Sequence, residues 1–346
     1  TDRFLDIANS EDGPDEFEAG PAIDVGAIYL RNAGDDFYIS DFTLAPDDAE
    51  VYREQDVERR GAVNEMVFSF AGNYKERILF GATLGVPFLN FSEEKIYREV
   101  DEAGAAEGNI PFFDELEYRE EVTTTGIGIN LKLGLIVRPH QMVRLGAAVH
   151  TPTAFRLEDS YNSSLFYSFV DGQGPFSDEV LSPDGLFEYR LRTPWRFVGS
   201  AGVIFGKAGF LTAEVERVDY TNNKFRFDGF RVDERMANDS IRTQLDAATN
   251  FRFGGETAYD VFRFRAGFNI LPSALAGDAT TNYGYSVGIG IREEKFFLDL
   301  AYRRDQVKET YIPYLIDQGQ PDPAPTQFVD QDIIYNRFLA TFGFKF

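Results

Sequence analysis

The stretch Asp332 to Phe346, DIIYNRFLATFGFKF, decides how the chain is read. Counting back by twos from the last residue gives Phe346, Phe344, Phe342, Ala340 and Phe338; the other parity gives Lys345, Gly343, Thr341, Leu339 and Arg337. A period of two with one wholly apolar face and one mostly polar face is a strand set between two unlike solvents. In a water-soluble β-sandwich, the alternative architecture, a second wall would have to cover the apolar face, and over most of the chain no helix-period segment can supply one. The pattern predicts that the aromatic face meets lipid and the mixed face lines a wet lumen. The fold class expected is therefore all-β, a transmembrane antiparallel β-barrel in the outer membrane of a Gram-negative bacterium, with Phe338, Phe342, Phe344 and Phe346 on the lipid side of its closing strand.

Composition agrees. Among 346 residues there are 34 Phe and 17 Tyr but no Cys, which removes disulfides, thiolate metal sites and thiol nucleophiles together. No apolar run approaches the roughly 18 residues of a spanning helix, so a chain that crosses a membrane must do so as a barrel. A net charge of −23 argues against nucleic acid as a partner, because no basic patch could release counterions from phosphates. The charge is uneven: residues 1–63 hold 17 acids and 5 bases, and this segment reads as an acidic, solvated extracellular loop. No EF-hand spacing supports calcium, and neither cofactor nor metal site is expected.

From Asn64 the chain alternates in hairpins. Met66, Phe68 and Phe70 lead to a turn at Gly72-Asn73-Tyr74-Lys75, and Ile78, Phe80, Ala82, Leu84 and Val86 leave it. Similar pairs of runs meet at Arg138-Pro139-His140-Gln141, Gly206-Lys207-Ala208-Gly209, Tyr259-Asp260 and Glu293-Glu294-Lys295. Longer polar connections fall near 100–115, 171–185, 229–240, 273–281 and 310–330. Short turns at one end and long loops at the other are the asymmetry of outer-membrane barrels. About eleven strands result, an odd number, whereas a single-chain barrel of this type closes with an even one. The expectation is that strands precede Thr1 in the complete protein, or that the apolar island Ile23–Leu30, a helix or a strand, supplies a twelfth.

The run Leu191-Arg192-Thr193-Pro194-Trp195-Arg196-Phe197, followed by Val203-Ile204-Phe205-Gly206-Lys207-Ala208-Gly209 and Glu214-Val215-Glu216-Arg217-Val218-Asp219-Tyr220, resembles the central hairpin of the FadL/TodX family, most of all its Bacteroidetes-type branch. Gly126-Ile127-Gly128-Ile129-Asn130-Leu131-Lys132-Leu133-Gly134 and His150-Thr151-Pro152-Thr153 agree in order. The resemblance covers about 64–346 and implies a fourteen-stranded outer-membrane barrel for long-chain fatty acids or hydrocarbons, plugged by an N-terminal hatch. The hatch and the kinked third strand of that family would precede Thr1. The terminal Phe also resembles the signal by which the barrel assembly machinery recognises its clients.

By alternation the lumen face carries Lys132, Arg144, Arg196, Glu214, Glu216, Arg252, Glu256, Arg263, Arg265, Asp299 and Arg303. These charges read either as a mutually paired lining or, for Arg144, Arg263 and Arg265, as guanidinium forks for a ligand carboxylate. Leu165, Phe166, Tyr167, Phe169 and Val170 form an apolar cluster in a long loop, read as an outer capture site or as the packed rim of an extended strand. The island residues Val25, Ile28, Tyr29 and Leu30 invite the same two readings. His140 and His150 sit in no nucleophile or metal motif, so no enzyme is expected. The expected role is passive passage of hydrophobic compounds toward the periplasm, with outer-membrane lipid and lipopolysaccharide around the barrel. The alternative is a docking barrel whose loops contact envelope protein partners.

Overall fold

The computed structural model describes residues 1–32, 34–45, 49, 51–102, 110–171, 174–311 and 329–344. The chain opens with α1 (Asp2–Ala8), α2 (Ala19–Asp24) and the two-residue strands β1 (Tyr29–Leu30) and β2 (Tyr38–Ile39). Three long strands follow, β3 (Tyr52–Tyr74), β4 (Ile78–Val100) and β5 (Phe113–Val137). Next come β6 (Val143–His150), β7 (Ala154–Asp171), β8 (Gly174–Leu181), β9 (Gly185–Arg192), β10 (Arg196–Ile204), β11 (Gly209–Asp219) and β12 (Lys224–Phe227). Helix α3 (Arg231–Gln244) precedes β13 (Ala247–Tyr259), β14 (Phe262–Pro272), β15 (Thr281–Arg292), β16 (Phe296–Tyr311) and β17 (Val329–Phe344).

The strands β3, β4, β5, β6, β10, β11, β13, β14, β15, β16 and β17 pair each with the next, all antiparallel. These are the eleven strands the alternation predicts. Among the described residues β3 and β17 do not pair with each other, and each has a neighbour on one side only. No helix among the described residues is long and apolar enough to cross a membrane. On one face of the wall the rows are apolar, as in Phe70, Ala82, Leu133, Val149 and Phe197, which stand opposite one another on successive strands. Phe338, Phe342 and Phe344 lie on this face and are exposed, Phe338 by 82%; Phe346 and the prolines Pro321, Pro323 and Pro325 lie outside the described residues.

Several expectations need correction. The island Ile23–Leu30 adds no twelfth strand to the wall: it is the end of α2 and β1, and β1 pairs only with β2. The segment read as loop through residue 63 ends earlier, because β3 begins at Tyr52. Its first half is polar on both faces and is joined to β4 by the ion pairs Arg53–Glu99 and Arg59–Glu93, so apolar alternation marks the belt and not the strand end. The first hairpin turns at Lys75-Glu76, both with positive φ (50° and 56°), closed by Arg77 N–H donating to Tyr74 O at 3.1 Å. The stretch holding Leu165 is strand β7, the 171–185 connection contains β8, and the 229–240 connection contains α3.

Two Thr-Pro breaks divide the sheet by height. Thr151-Pro152-Thr153 separates β6 from β7, and Thr193-Pro194-Trp195 separates β9 from β10, yet β7 pairs with β9 as β6 pairs with β10. Proline has no N–H for the ladder. Threonine hydroxyls fill the gaps: Leu131 N–H donates to Thr151 Oγ1 at 2.9 Å and Thr153 N–H to Thr193 Oγ1 at 2.8 Å. Beside them the β4–β5 pairing lapses between Gly85↔Asn130 and Phe88↔Ile127, around Pro87, with the register unchanged. The segments below the breaks are 8 (β6) and 9 (β10) residues long. At ~3.4 Å per residue and a tilt of ~40° the longer one spans ~23 Å, close to the ~25 Å apolar band of an outer-membrane wall.

Above the breaks lies the buried core. Phe4, Ala8, Ala19, Ala22, Val25, Ala27 and Ile28 pack on Phe113, Leu116, Tyr118, Leu165 and Tyr167 of β5 and β7. Ring contacts join the two sides: Phe4 to Tyr118 at 5.2 Å, Phe17 to Tyr161 at 4.7 Å and Phe42 to Phe113 at 4.9 Å. The acidic N-terminal segment thus folds as a cap on the upper wall. Its helices, of 7 and 6 residues, are too short to be stable alone and are held by this burial.

Candidate ligand path

The face opposite the apolar rows carries charge, and it is the concave one: Glu216 is 4% exposed, while Phe197 on the neighbouring strand is 55% exposed. The lumen residues read from alternation share this face. Lys132 pairs with Glu65, which also accepts from Asn130 at 2.9 Å. Arg196 donates to Glu216 at 3.0 Å; Glu216 accepts further from Asn250 (2.9 Å) and Arg252 (3.0 Å), and Arg252 reaches Glu214 at 2.6 Å. Arg265 bridges Glu256 and Asp299, both at 2.6 Å, and Arg303 bonds Asp305. A charge drawn partly out of water is costly unless paired, and these are paired.

This arrangement bears on the three arginines expected to receive a carboxylate. Arg265 already has two acidic partners. Arg144 donates to the carbonyls of His140, Gln141 and Val143, and Arg263 to those of Asp260 and Phe262, so both guanidiniums fold over the short turns at the bottom of the wall. Arg263 and Arg265 share Glu256, at 3.9 Å and 2.6 Å, whereas Arg144 has only its turn carbonyls among the described residues, so the structure brings two of the three to one carboxylate. His140 is also part of its turn, its Nδ1 accepting from Met142 N–H at 3.2 Å.

The capture cluster is likewise distributed. Leu165 and Tyr167 are 0% and 1% exposed, closed into the cap core, with Phe169 packed against it, whereas Phe166 points to the opposite face of β7. Of the island residues, Val25 and Ile28 are buried in the same core, while Tyr29 is half-buried and Leu30 exposed. Val25, Ile28, Leu165, Tyr167 and Phe169 are packed together, whereas Phe166 and Leu30 stand outside that core. The Tyr167 hydroxyl donates to Asp41 Oδ2 at 2.7 Å and Tyr29 to Oδ1 at 2.9 Å. Burial of Asp41 raises its carboxyl above the usual range in spite of these two donors, and burial beside Asp41 pushes Tyr29 up to about 12.

An aromatic surface lies on the inward face of β9 and β12. Phe187, Tyr189, Phe225, Phe227 and Phe230 form a connected set, with centroids 5.2 Å (Phe187–Phe227) to 6.0 Å (Tyr189–Phe227) apart. These rings are half-buried or exposed, in contrast to the cap core. β12 is held in place by α3: Asn238 accepts from Phe225 N–H (2.8 Å) and donates to its carbonyl (3.0 Å), and Glu234 accepts from Phe227 N–H. Leu191, next in the same row, stands opposite Phe155. Phe155 in turn lines a cavity of ≈ 500 Å³ on the concave face with Glu65, Lys132, His150 and Arg196. A second cavity of ≈ 1280 Å³ adjoins it through Arg196 and Tyr220. Period two in GLFEYRLR (185–192) and KFRF (224–227) is the signal by which the aromatic face could be found in the sequence.

No protein-family model and no curated protein matches this chain. Among solved structures it is similar to the CymD monoaromatic hydrocarbon channel (15% identity, TM-score 0.48, covering 74% of this chain and 72% of that one). It is also similar to a Pseudomonas aeruginosa FadL homologue (14%, 0.48, 83% and 67%) and to the Pseudomonas putida toluene transporter TodX (11%, 0.39, 78% and 86%). Scores below 0.5 at such identities record a likeness in strand layout and establish no family.

Proposed function

We propose that the chain forms the greater part of an outer-membrane barrel wall through which hydrophobic compounds pass passively toward the periplasm, without nucleotide hydrolysis. The observation that carries this reading is the accessible aromatic set Phe187, Tyr189, Phe225, Phe227 and Phe230, on the inward face immediately above the charged lumen and joined to its cavities through Leu191 and Phe155. Apolar solutes leave water for such a surface by the hydrophobic effect, and rings 5–6 Å apart offer faces and edges to aliphatic or aromatic cargo. The cap of residues 1–45 stands at the external mouth in this reading, and the paired charges below keep the lumen hydrated. Long-chain fatty acids or hydrocarbons are the cargo class.

The test is titration of the detergent-extracted protein with a monoaromatic hydrocarbon and with a long-chain fatty acid, followed by calorimetry. Phe187→Ala with Phe227→Ala is expected to weaken binding about tenfold or more, and Phe338→Ala on the lipid side to leave it unchanged. Wild-type protein that takes up neither ligand, or a double variant that binds as well as wild type, would overturn the proposal.

A further inference from the structure

The outward face of the same upper sheet carries a second, unassigned feature. Arg156, Arg190 and Arg226 stand directly opposite one another on β7, β9 and β12, and Arg192 stands opposite Lys224 in the next row toward the break. All five are exposed. Only Arg190 has an acidic partner among the described residues, Asp228 at 2.9 Å. Like charges directly opposite on neighbouring strands destabilise a sheet. Three guanidiniums abreast with two more cations beneath them, on a chain of net charge −23, are therefore an arrangement that an anion stabilises. Acids are close but do not neutralise the rows: Glu158 and Glu188 form the next row outward, and Asp219 accepts from Thr221 N–H and Oγ1.

The height of the rows identifies the anion. They begin immediately above the Thr-Pro breaks, where the outward face of β7, β9 and β12 turns from apolar to charged, while in the same rows on β5 and β4 Ile127, Ile129 and Phe88 still present exposed apolar side chains. Trp195, the only tryptophan, lies at that level and is exposed, the place of an aromatic girdle residue. Below, the apolar face holds a groove of ≈ 820 Å³ in which Ala147 and Gly199 lie in a row between Phe80 and Val215, with Arg217 at its upper end. Cations over an apolar groove at a headgroup boundary fit one occupant: a bilayer lipid whose phosphates meet the arginines and whose acyl chains lie against the wall.

We infer that the outward face of β7, β9 and β12 is a binding site for the phosphorylated headgroup of an outer-leaflet lipid, held by Arg156, Arg190, Arg192, Lys224 and Arg226. This rests on the membrane orientation proposed above. Arginine suits the task because its planar fork meets two phosphate oxygens at once. Bound there, the lipid would neutralise the sheet that carries the aromatic set on its other face.

The experiment reconstitutes the protein into phosphatidylcholine vesicles containing either diphosphorylated lipid A or the same lipid stripped of its phosphates. Flotation is measured first; the protein is then extracted in detergent and retained lipid is quantified by native mass spectrometry. Wild type is expected to float in both preparations and to retain the phosphorylated lipid about tenfold or more over the stripped one. Arg192→Gln with Lys224→Gln and Arg226→Gln should float equally and lose that preference, and millimolar inorganic phosphate should not displace the lipid. Wild-type protein that floats yet shows no preference overturns the site and leaves the membrane reading standing, as does a triple variant that keeps the preference. Displacement by inorganic phosphate overturns the lipid assignment in favour of a free-anion site. Failure of the wild type to float overturns both the site and the membrane reading.

Discussion

The halves of the sheet below and above the Thr-Pro breaks use the same strand period with opposite polarity. Below, Phe197, Leu133 and Val149 point out and Lys132, Arg196 and Glu216 point in. Above, Arg156, Arg190 and Arg226 point out, and Leu157, Leu165 and Tyr167 point in and are buried. The backbone hydrogen bonding is alike in both halves, so the inversion is a statement about solvent. In the membrane orientation proposed above, the lower wall separates lipid from water; above, β5 and β7 separate water from a protein core. Along β6–β7 and β10–β9, Thr151 and Thr193 mark the level at which the outward face changes, while on β5 and β4 the apolar face continues to Ile127 and Phe88.

The largest effects should come from truncating the same kind of residue on either side of that level. Leu165→Ala leaves a cavity in the cap core and should cost about 2–5 kcal/mol. Leu133→Ala exchanges one apolar surface for another against lipid and should cost far less. Urea unfolding monitored separately in the cap and the wall would compare them. Next in size is a charge on the outward face. Leu133→Arg below the break should cost about 2–4 kcal/mol and lower the yield of inserted protein, with Phe344→Asp acting in the same direction, whereas Ser160→Arg above it should stay within about 0.5 kcal/mol. Equal insertion of the Leu133 and Ser160 variants would break the comparison.

These contrasts explain what the sequence makes legible. Unlike solvents on the two faces force strict alternation, so all eleven wall strands can be read from residues such as Ile127–Val137 or Tyr285–Ile291. Above the break alternation persists in Phe187, Tyr189 and Leu191 against Glu188, Arg190 and Arg192, but its outward face is charged, so it does not look like a lipid-facing strand. Helices α1 and α2 leave no strong signal, since burial against β5 and β7 creates them. Side-chain parity puts Arg144, Arg263 and Arg265 on the inner face; it does not tell that Arg144 and Arg263 fold over turn carbonyls or that Arg263 and Arg265 share Glu256.

A smaller effect concerns the cap. Asp41 has a folded pKa above its unfolded one, so its contribution to stability is full below the ordinary carboxylate value and is lost as pH rises through the raised value. Asp41→Asn should therefore gain on wild type as pH increases, read as amide-exchange protection of Phe113–Tyr118 at pH 5 and pH 8, with no change in the wall. The smallest effect belongs to the first turn. Lys75→Asn with Glu76→Gly replaces two residues strained at positive φ and should stabilise the hairpin by about 0.4–1 kcal/mol.

The inversion itself can be measured residue by residue, because the chain has no cysteine of its own. Single cysteines introduced at outward positions, Leu145→Cys, Ala147→Cys and Val149→Cys on β6 and Arg156→Cys, Glu158→Cys and Ser160→Cys on β7, would be spin-labelled in reconstituted vesicles and probed with oxygen and with a water-soluble nickel reagent. The account predicts oxygen-rich, nickel-poor surroundings at 145, 147 and 149 and the reverse at 156, 158 and 160, with the change between Val149 and Arg156. Equal access of the nickel reagent on both sides of that break would contradict it.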